Sequence, residues 1–436
     1  MNTKIRKQLL LIITVFFLLI SGSYSLNADQ PAAESYKLQE VVVLSRHNIR
    51  APLSTKGSAL DTATPHTWYE WSSNTSELSL RGSILETAMG AYFRKWLESE
   101  GLFPENYRPE GDEVRFYANA KQRTIATAQY FSSGLLPVAN IRIMTNQVYD
   151  QMDPVFTPQL TFVSDEYAED AAVQMKGLMK DLSKEFELLS EVVDLKDSAD
   201  YKEGKISDLD SSDVEFVLEN NAEPGLKGSL KLATTLSDAL VLQYYEQSDD
   251  KAAAFGHDLS DDDWMSIARI LENYGEVLFT SPLISTNVAN PLLKQISSEL
   301  NSDERIFSFL CGHDSNIASV LAALEVEDYE LPQAIETRTP IGSKLVFEKW
   351  EKDNEEYLKV QLIYNSVDQL RNISILDLKN PPVIYDLHFN GLQTNADGMY
   401  KYSDFANRLQ QSIAEYDRLY STYCPQEAGL PKTGID

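Results

Sequence analysis

Three short apolar segments of this chain each run directly into a cluster of charged residues, and this repeated junction limits the fold more than any other feature. Leu38 to Ser45 (LQEVVVLS) is Val-rich and reads as a buried strand; it leads into Arg46-His47-Asn48-Ile49-Arg50-Ala51-Pro52. Val114 to Ala118 (VRFYA) is a second strand, passing through Asn119 into an amphipathic helix from Lys121 to Ser132 with Arg123 in its first turn. Arg305 to Cys311 (RIFSFLC) is a third; Gly312 turns the chain, and Ser315 or Asn316 stands where a helix running through Leu324 would be capped. Strands alternating with helices build an α/β sheet, and open α/β sheets bind ligands in the crevice beyond the carboxyl ends of their strands. If the three strands are parallel in one sheet, all three charged clusters face one crevice.

The middle of the chain follows a different pattern. Residues 166–190, 228–247 and 261–279 carry apolar residues at helical spacing. Lys344 to Trp350 and Tyr357 to Tyr364 alternate as strands about a charged turn, Glu351 to Glu355, which predicts a hairpin. The expected organisation is a discontinuous α/β core, residues 34–150 and 285–436, interrupted by a mainly α-helical domain over 151–284. No internal repeat is visible.

The first residues have the grammar of a secretory signal peptide over 1–25. Lys4, Arg6 and Lys7 precede an apolar run, Leu9 to Ile20, that is short for a membrane span, and small and polar residues follow it. Export to a periplasm or to the medium is therefore expected; an uncleaved anchor is the alternative. No cysteine follows the run, which disfavours a lipoprotein, and no later segment is long and apolar enough to span a bilayer. The net charge of -28 and pI near 4.6 exclude nucleic acid as a partner, because the phosphate backbone would be repelled. A small phosphorylated molecule would be repelled too unless cations are concentrated locally. Cys311 lies in an apolar run and reads as a packed thiol, with a disulfide to Cys424 as the alternative. The ending Leu430-Pro431-Lys432-Thr433-Gly434 spells a sortase-like LPxTG, but only Ile435 and Asp436 follow it, so it reads as a coincidental tail.

The clusters carry what phosphoryl transfer needs. The transferring group spreads charge over three oxygens, so catalysis is mostly positioning and cationic stabilisation. Arg suits this because its planar fork binds phosphate bidentately and keeps its charge. His47 is the candidate nucleophile, Arg46 and Arg50 would grip the phosphate, Arg123 adds a third fork and His313 a further donor. Asp314 is the candidate proton donor for the leaving oxygen, with phosphate charge helping to keep it protonated. Taken singly, each has a bland alternative: a basic surface turn for residues 46–52, a capping pair for His313-Asp314, an exposed helical residue for Arg123. Their shared position after three strands favours the chemical reading, and two of the chain's five histidines fall in these motifs.

Arg46-His47-Asn48-Ile49-Arg50-Ala51-Pro52 resembles the RHxxRxP signature of the histidine acid phosphatases, and Gly312-His313-Asp314 resembles their distal HD motif. Supporting stretches are SRHNIRAPL (45–53), YANAKQRTIATAQYF (117–131), GHDSNIASVLAAL (312–324) and TRTPIGSKLVF (337–347), and the similarity runs from about Val41 to Asn372. Within that family the chain is most similar to the bacterial branch of glucose-1-phosphatases and phytases, the former more than the latter. The resemblance implies a phosphoglycerate-mutase-like three-layer core sheet with a helical lid domain, and neither metal nor cofactor. It implies a phosphohistidine on His47, proton donation by Asp314, and a phosphate pocket of Arg46, Arg50, Arg123 and His313. Glu223, in AEPGLKG, resembles an acidic residue at the substrate mouth of the glucose-1-phosphatases, where a carboxylate would accept sugar hydroxyls and disfavour inositol hexaphosphate; its bland alternative is an ordinary loop residue before Pro224. Family members usually carry several disulfides, and two cysteines allow at most one here. The expected activity is hydrolysis of glucose 1-phosphate and similar small esters. Alternatives are a phytase, a mutase (which export disfavours) and a non-catalytic phosphate-binding protein (which has no use for a proton donor).

Overall fold

The computed structural model describes residues 36–54 and 58–425. The expected signal peptide and the LPxTG tail lie outside the described residues. Ten strands are present among the described residues: β1 (Lys37–Arg46), β2 (Val114–Ala118), β3 (Ile143–Met144), β4 (Val214–Val217), β5 (Gly225–Gly228), β6 (Phe307–Gly312), β7 (Lys344–Lys352), β8 (Glu355–Tyr364), β9 (Val383–Asp386) and β10 (Tyr400–Lys401). The longer helices are α1 (Leu80–Ser99), α2 (Gln122–Leu135), α3 (Asp165–Gly177), α4 (Ser183–Val192), α5 (Ser229–Glu246), α6 (Asp261–Phe279), α7 (Pro282–Leu300), α8 (Asp314–Ala323) and α9 (Tyr402–Tyr423).

The main sheet is mixed, in the order β10-β8-β7-β1-β6-β2-β3, with β9 also on β8. The three strands expected to be parallel are adjacent and parallel, β6 lying between β1 and β2. Their ends are in register, Arg46 opposite Gly312 and Ala118 opposite Cys311, so the three charged junctions leave the sheet at one edge. The hairpin is β7–β8, two residues longer on each arm than the alternation implied. Its turn is Asp353-Asn354, both at positive φ (55° and 60°), as a two-residue hairpin loop with the right twist requires.

Helices cover both faces of the sheet, as a sheet buried on both sides demands. On one face Phe116 and Phe309 pack against Phe131 of α2, the Phe131 and Phe309 rings stacking at 4.3 Å. On the other, Val42, Leu44, Leu310 and Phe347 join Leu292, Ile317 and Phe405 from α7, α8 and α9 in one buried cluster. Each fully buried ring contributes about 1.5–3 kcal/mol through apolar burial. Cys311 is a buried free thiol on β6.

Helices α3 to α6 pack around a second buried cluster that holds Tyr167, Phe186, Tyr245 and Trp264. The expected helix 166–190 is two helices, α3 and α4. Asn273 of α6 makes the break: its side chain accepts from the Lys180 N–H at 3.2 Å and donates to the Leu178 carbonyl at 2.9 Å, satisfying backbone groups that an unbroken helix would have paired internally. No helix among the described residues is long and apolar enough to cross a membrane.

Candidate active site

The edge shared by β1, β6 and β2 is stitched by backbone. The His47 N–H donates to the Gly312 carbonyl at 3.1 Å, and the Asn119 N–H to the Cys311 carbonyl at 3.0 Å. These bonds fix where the side chains after each strand emerge. They open into a cleft of about 760 Å³ lined by His47, Arg50, Arg123, His313, Asp314 and Glu223, among others.

His47 is buried. Its Nδ1 lies 2.9 Å from the carbonyl oxygen of Asn48. A carbonyl only accepts, so Nδ1 carries the proton and Nε2 keeps its lone pair. Burial, then the positive charge of Arg123 and Arg50, holds the imidazole pKa well below 6.5, so the ring is neutral. His313 is fixed by similar logic. The Asn119 amide oxygen accepts the Asp153 N–H at 2.9 Å, which turns its NH₂ toward His313 Nε2 at 2.7 Å. His313 Nε2 is therefore an acceptor and its Nδ1–H a donor. Burial, with Arg123 next, holds this ring neutral as well. The two rings meet edge to face, centroids 5.6 Å apart.

Arg46, Arg50 and Arg123 all come to this site, each with a buried Nε that has no hydrogen-bond partner. Three guanidinium forks converging at the ends of adjacent strands suit an acceptor-rich group. Arg46 is held by Glu336 and the Thr339 carbonyl, each at 2.5 Å, and lies 3.4 Å from Asp314. Arg50 makes a two-pronged pair with Asp238 of α5, at 3.1 and 3.2 Å. Arg123, near the start of α2, is brought down to about 10 by burial and by Arg50.

Asp314 opens α8. Its Oδ1 accepts the Ser315 N–H at 2.8 Å, and 46 % of its side chain faces the cleft. Burial raises its pKa, but Arg46 and the Ser315 N–H outweigh that and leave it below the ordinary carboxylate value. The helix is capped two or three residues earlier than the Ser315 or Asn316 expected from the sequence: His313 is the N-cap, and the Asn316 side chain accepts its N–H at 2.9 Å. Glu223, just before β5, stands in the cleft wall; enclosure and then the Asp314 carboxylate raise its pKa.

Six of the seven residues singled out from the sequence line one cleft, and the seventh, Arg46, lies behind its wall, 3.4 Å from Asp314. The sequence did not point to Asp238, Glu336, Asn48 or Asn119. Asp238 sits in a helix whose apolar spacing hides it, and Glu336 lies beside the TRTPIG stretch without a motif of its own. Asn48 lay inside the signature but in one of its variable places. Among the described residues no group of three or more His, Cys, Asp or Glu is arranged to hold a metal ion.

The model of the histidine phosphatase superfamily (branch 2) matches residues 37–365. The chain belongs to this superfamily. It is 37 % identical to the glucose-1-phosphatase of Salmonella typhimurium over 410 residues, covering 92 % of this chain and 98 % of that protein. It is 36 % identical to the glucose-1-phosphatase of Providencia rettgeri over 387 residues, covering 87 % and 92 %. Among solved structures, the apo form of Hafnia alvei phytase superposes with a TM-score of 0.80 at 26 % identity, covering 88 % of this chain and 99 % of that one. The protein is accordingly a histidine acid phosphatase, a hydrolase whose substrates are small phosphate esters.

Proposed function

We propose that this phosphatase is exported and hydrolyses glucose 1-phosphate and similar small phosphate monoesters through a phosphohistidine on His47, with Asp314 as proton donor. The observation that carries this is the His47 Nδ1–H bond to the Asn48 carbonyl, which leaves Nε2 as an uncharged nucleophile among three guanidinium groups. Nε2 attacks phosphorus in line as the P–O bond to the leaving group breaks, and Asp314 protonates the departing oxygen. A water then attacks the phosphohistidine, Asp314 accepting its proton, to release phosphate and free the imidazole. Arg46, Arg50 and Arg123, with His313 Nδ1–H, hold the phosphoryl oxygens in both steps. Asp314 has a low pKa in the free site; a bound phosphate group occupies its arginine neighbours and supplies negative charge, both of which raise it toward the protonated form. The helical segment 151–284 acts in this scheme as a lid domain contributing the Asp238 and Glu223 side of the cleft.

Charge favours a monoester over a hexaphosphate. Three guanidinium groups are faced by two carboxylates that take no part in proton transfer, Asp238 on Arg50 and Glu336 on Arg46, with Glu223 in the wall. That leaves little positive charge beyond what one phosphoryl group takes up. Phytase activity is the alternative, favoured by the structural likeness to Hafnia alvei phytase. Steady-state hydrolysis of glucose 1-phosphate and inositol hexaphosphate, side by side in EDTA from pH 4 to 7, separates the two. A higher kcat/KM on glucose 1-phosphate supports the proposal; preference for the hexaphosphate keeps the mechanism and discards the role of Glu223; no turnover of either overturns it.

A further inference from the structure

Behind His47, on the side away from the cleft, lies a charged pair that the proposed reaction does not use. Lys344 of β7 and Glu86 of α1 are both fully buried, Nζ to Oε1 at 2.8 Å. Neither lines the cleft. A buried ion pair is weak evidence for stability, because desolvation of both groups offsets their attraction and an apolar pair of similar volume often does as well. This pair is not optimised for stability either: Glu86 Oε2 is buried with no partner.

Its connections lead to the nucleophile. The same Glu86 Oε1 accepts the Asn48 side-chain NH₂ at 2.7 Å. Asn48 is used at every polar atom: its Oδ1 accepts the Ile49 N–H at 2.8 Å, its N–H donates to Thr127 Oγ1 at 3.2 Å, and its carbonyl accepts His47 Nδ1–H. From the other end, Lys344 Nζ donates to the Gly342 carbonyl at 2.7 Å, and the Gly342 N–H donates to the His47 carbonyl at 3.1 Å. The bonds close a ring from His47 through Asn48, Glu86, Lys344 and Gly342 back to His47. Gly342 is at φ +69°, and a Cβ there would stand 2.4 Å from Asn48 Nδ2, so the ring tolerates only glycine at this point.

We infer that Lys344 and Glu86 are positioning residues for the reaction: through Asn48 they hold the carbonyl that fixes the His47 tautomer and aims Nε2 at phosphorus. This rests on His47 being the nucleophile. An imidazole free to exchange tautomers spends part of its time with Nε2 protonated, and that fraction cannot attack.

The test uses two variants of the full chain. Glu86→Leu/Lys344→Met removes both charges together, so neither is left buried and unpaired. Asn48→Ala leaves the ion pair and its Gly342 arm intact and removes the side-chain bond that ties Glu86 to Asn48. For both, we expect kcat to fall about 10–100-fold, the scale on which outer partners that orient a histidine act, with KM little changed. The loss is expected to be equal for glucose 1-phosphate and p-nitrophenyl phosphate at the phosphorylation step. Nitrogen-15 NMR of the histidine side chains is expected to show His47 wholly Nδ1-protonated in the parent and as mixed tautomers in both variants. A folded double variant with parental kcat and an unchanged His47 signature overturns the inference. If the double variant does not fold, Asn48→Ala decides: parental kcat in that variant overturns it equally. Failure of the underlying mechanism looks different, since the parent enzyme would then form no phosphohistidine at all.

Discussion

The proposed role of His47 as a nucleophile requires a neutral ring with its proton on Nδ1, and the fold meets both conditions: burial beside Arg123 and Arg50 for the first, the Asn48 carbonyl for the second. His47→Ala is expected to abolish turnover while the circular dichroism spectrum and melting profile stay close to the parent. Asp314→Asn is expected to slow glucose 1-phosphate, whose leaving alkoxide needs a proton, more than p-nitrophenyl phosphate, whose phenolate does not; equal losses on the two substrates would remove Asp314 from the acid role. The depressed imidazoles also bear on stability. His47 and His313 are held neutral in the fold below their ordinary value of 6.5, so unfolding takes up protons below that pH. The stability they contribute is complete above about 6.5 and is lost as pH falls, by at most about 1.4 kcal/mol per pH unit for each ring. Carboxyls raised by burial, such as Glu272 and Glu348 at about 7, act in the opposite sense. His47→Gln is therefore expected to lose less stability than the parent between pH 6.5 and 4.5, measured by urea denaturation. An identical loss in both would mean that the ring is not held neutral.

Helices α1 and α2 cross closely, and the crossing is made of glycine. A Cβ on Gly90 would stand 2.1 Å from the Phe131 carbonyl, and one on Gly134 the same distance from that of Thr87. Gly90→Ala is expected to cost about 1–3 kcal/mol or more by overpacking. Because α2 carries Arg123, it is also expected to raise KM for phosphate esters. A variant with unchanged urea midpoint and KM would show that the helices can part without consequence. This crossing was not legible in the sequence, since glycine inside an amphipathic pattern gives no hint of what it faces. The strands β1, β2 and β6 were legible, because buried parallel strands write themselves as apolar runs, and so was α6, whose apolar residues recur at helical spacing over 261–279. The break between α3 and α4 was not, because it depends on Asn273, more than 80 residues later. The same holds within the site. Residues in short motifs after the strands could be read directly, whereas Asp238, Glu336, Glu86 and Lys344 act across 188, 290, 38 and 258 residues of chain. Their types are too common for spacing alone to single them out.

At the scale of the whole molecule, a net charge of -28 surrounds a small cationic pocket. The long-range field repels anionic substrates, and the hexaphosphate more than a monoester, while the local guanidinium groups act only at contact. Screening shortens the range of that field from about 30 Å at 0.01 M salt to about 10 Å at 0.1 M. The kcat/KM ratio of inositol hexaphosphate to glucose 1-phosphate is therefore expected to rise over this range; a ratio independent of salt would place the discrimination entirely in contacts such as Glu223. The central claim, covalent catalysis by His47, is tested most directly by rapid acid-free quenching of the enzyme with phosphorus-32-labelled ester and mapping of the labelled peptide. The account predicts label on His47, stable in alkali and lost in acid, and absent from His47→Ala. Label on any other residue, or turnover with no labelled enzyme at early times, would contradict it.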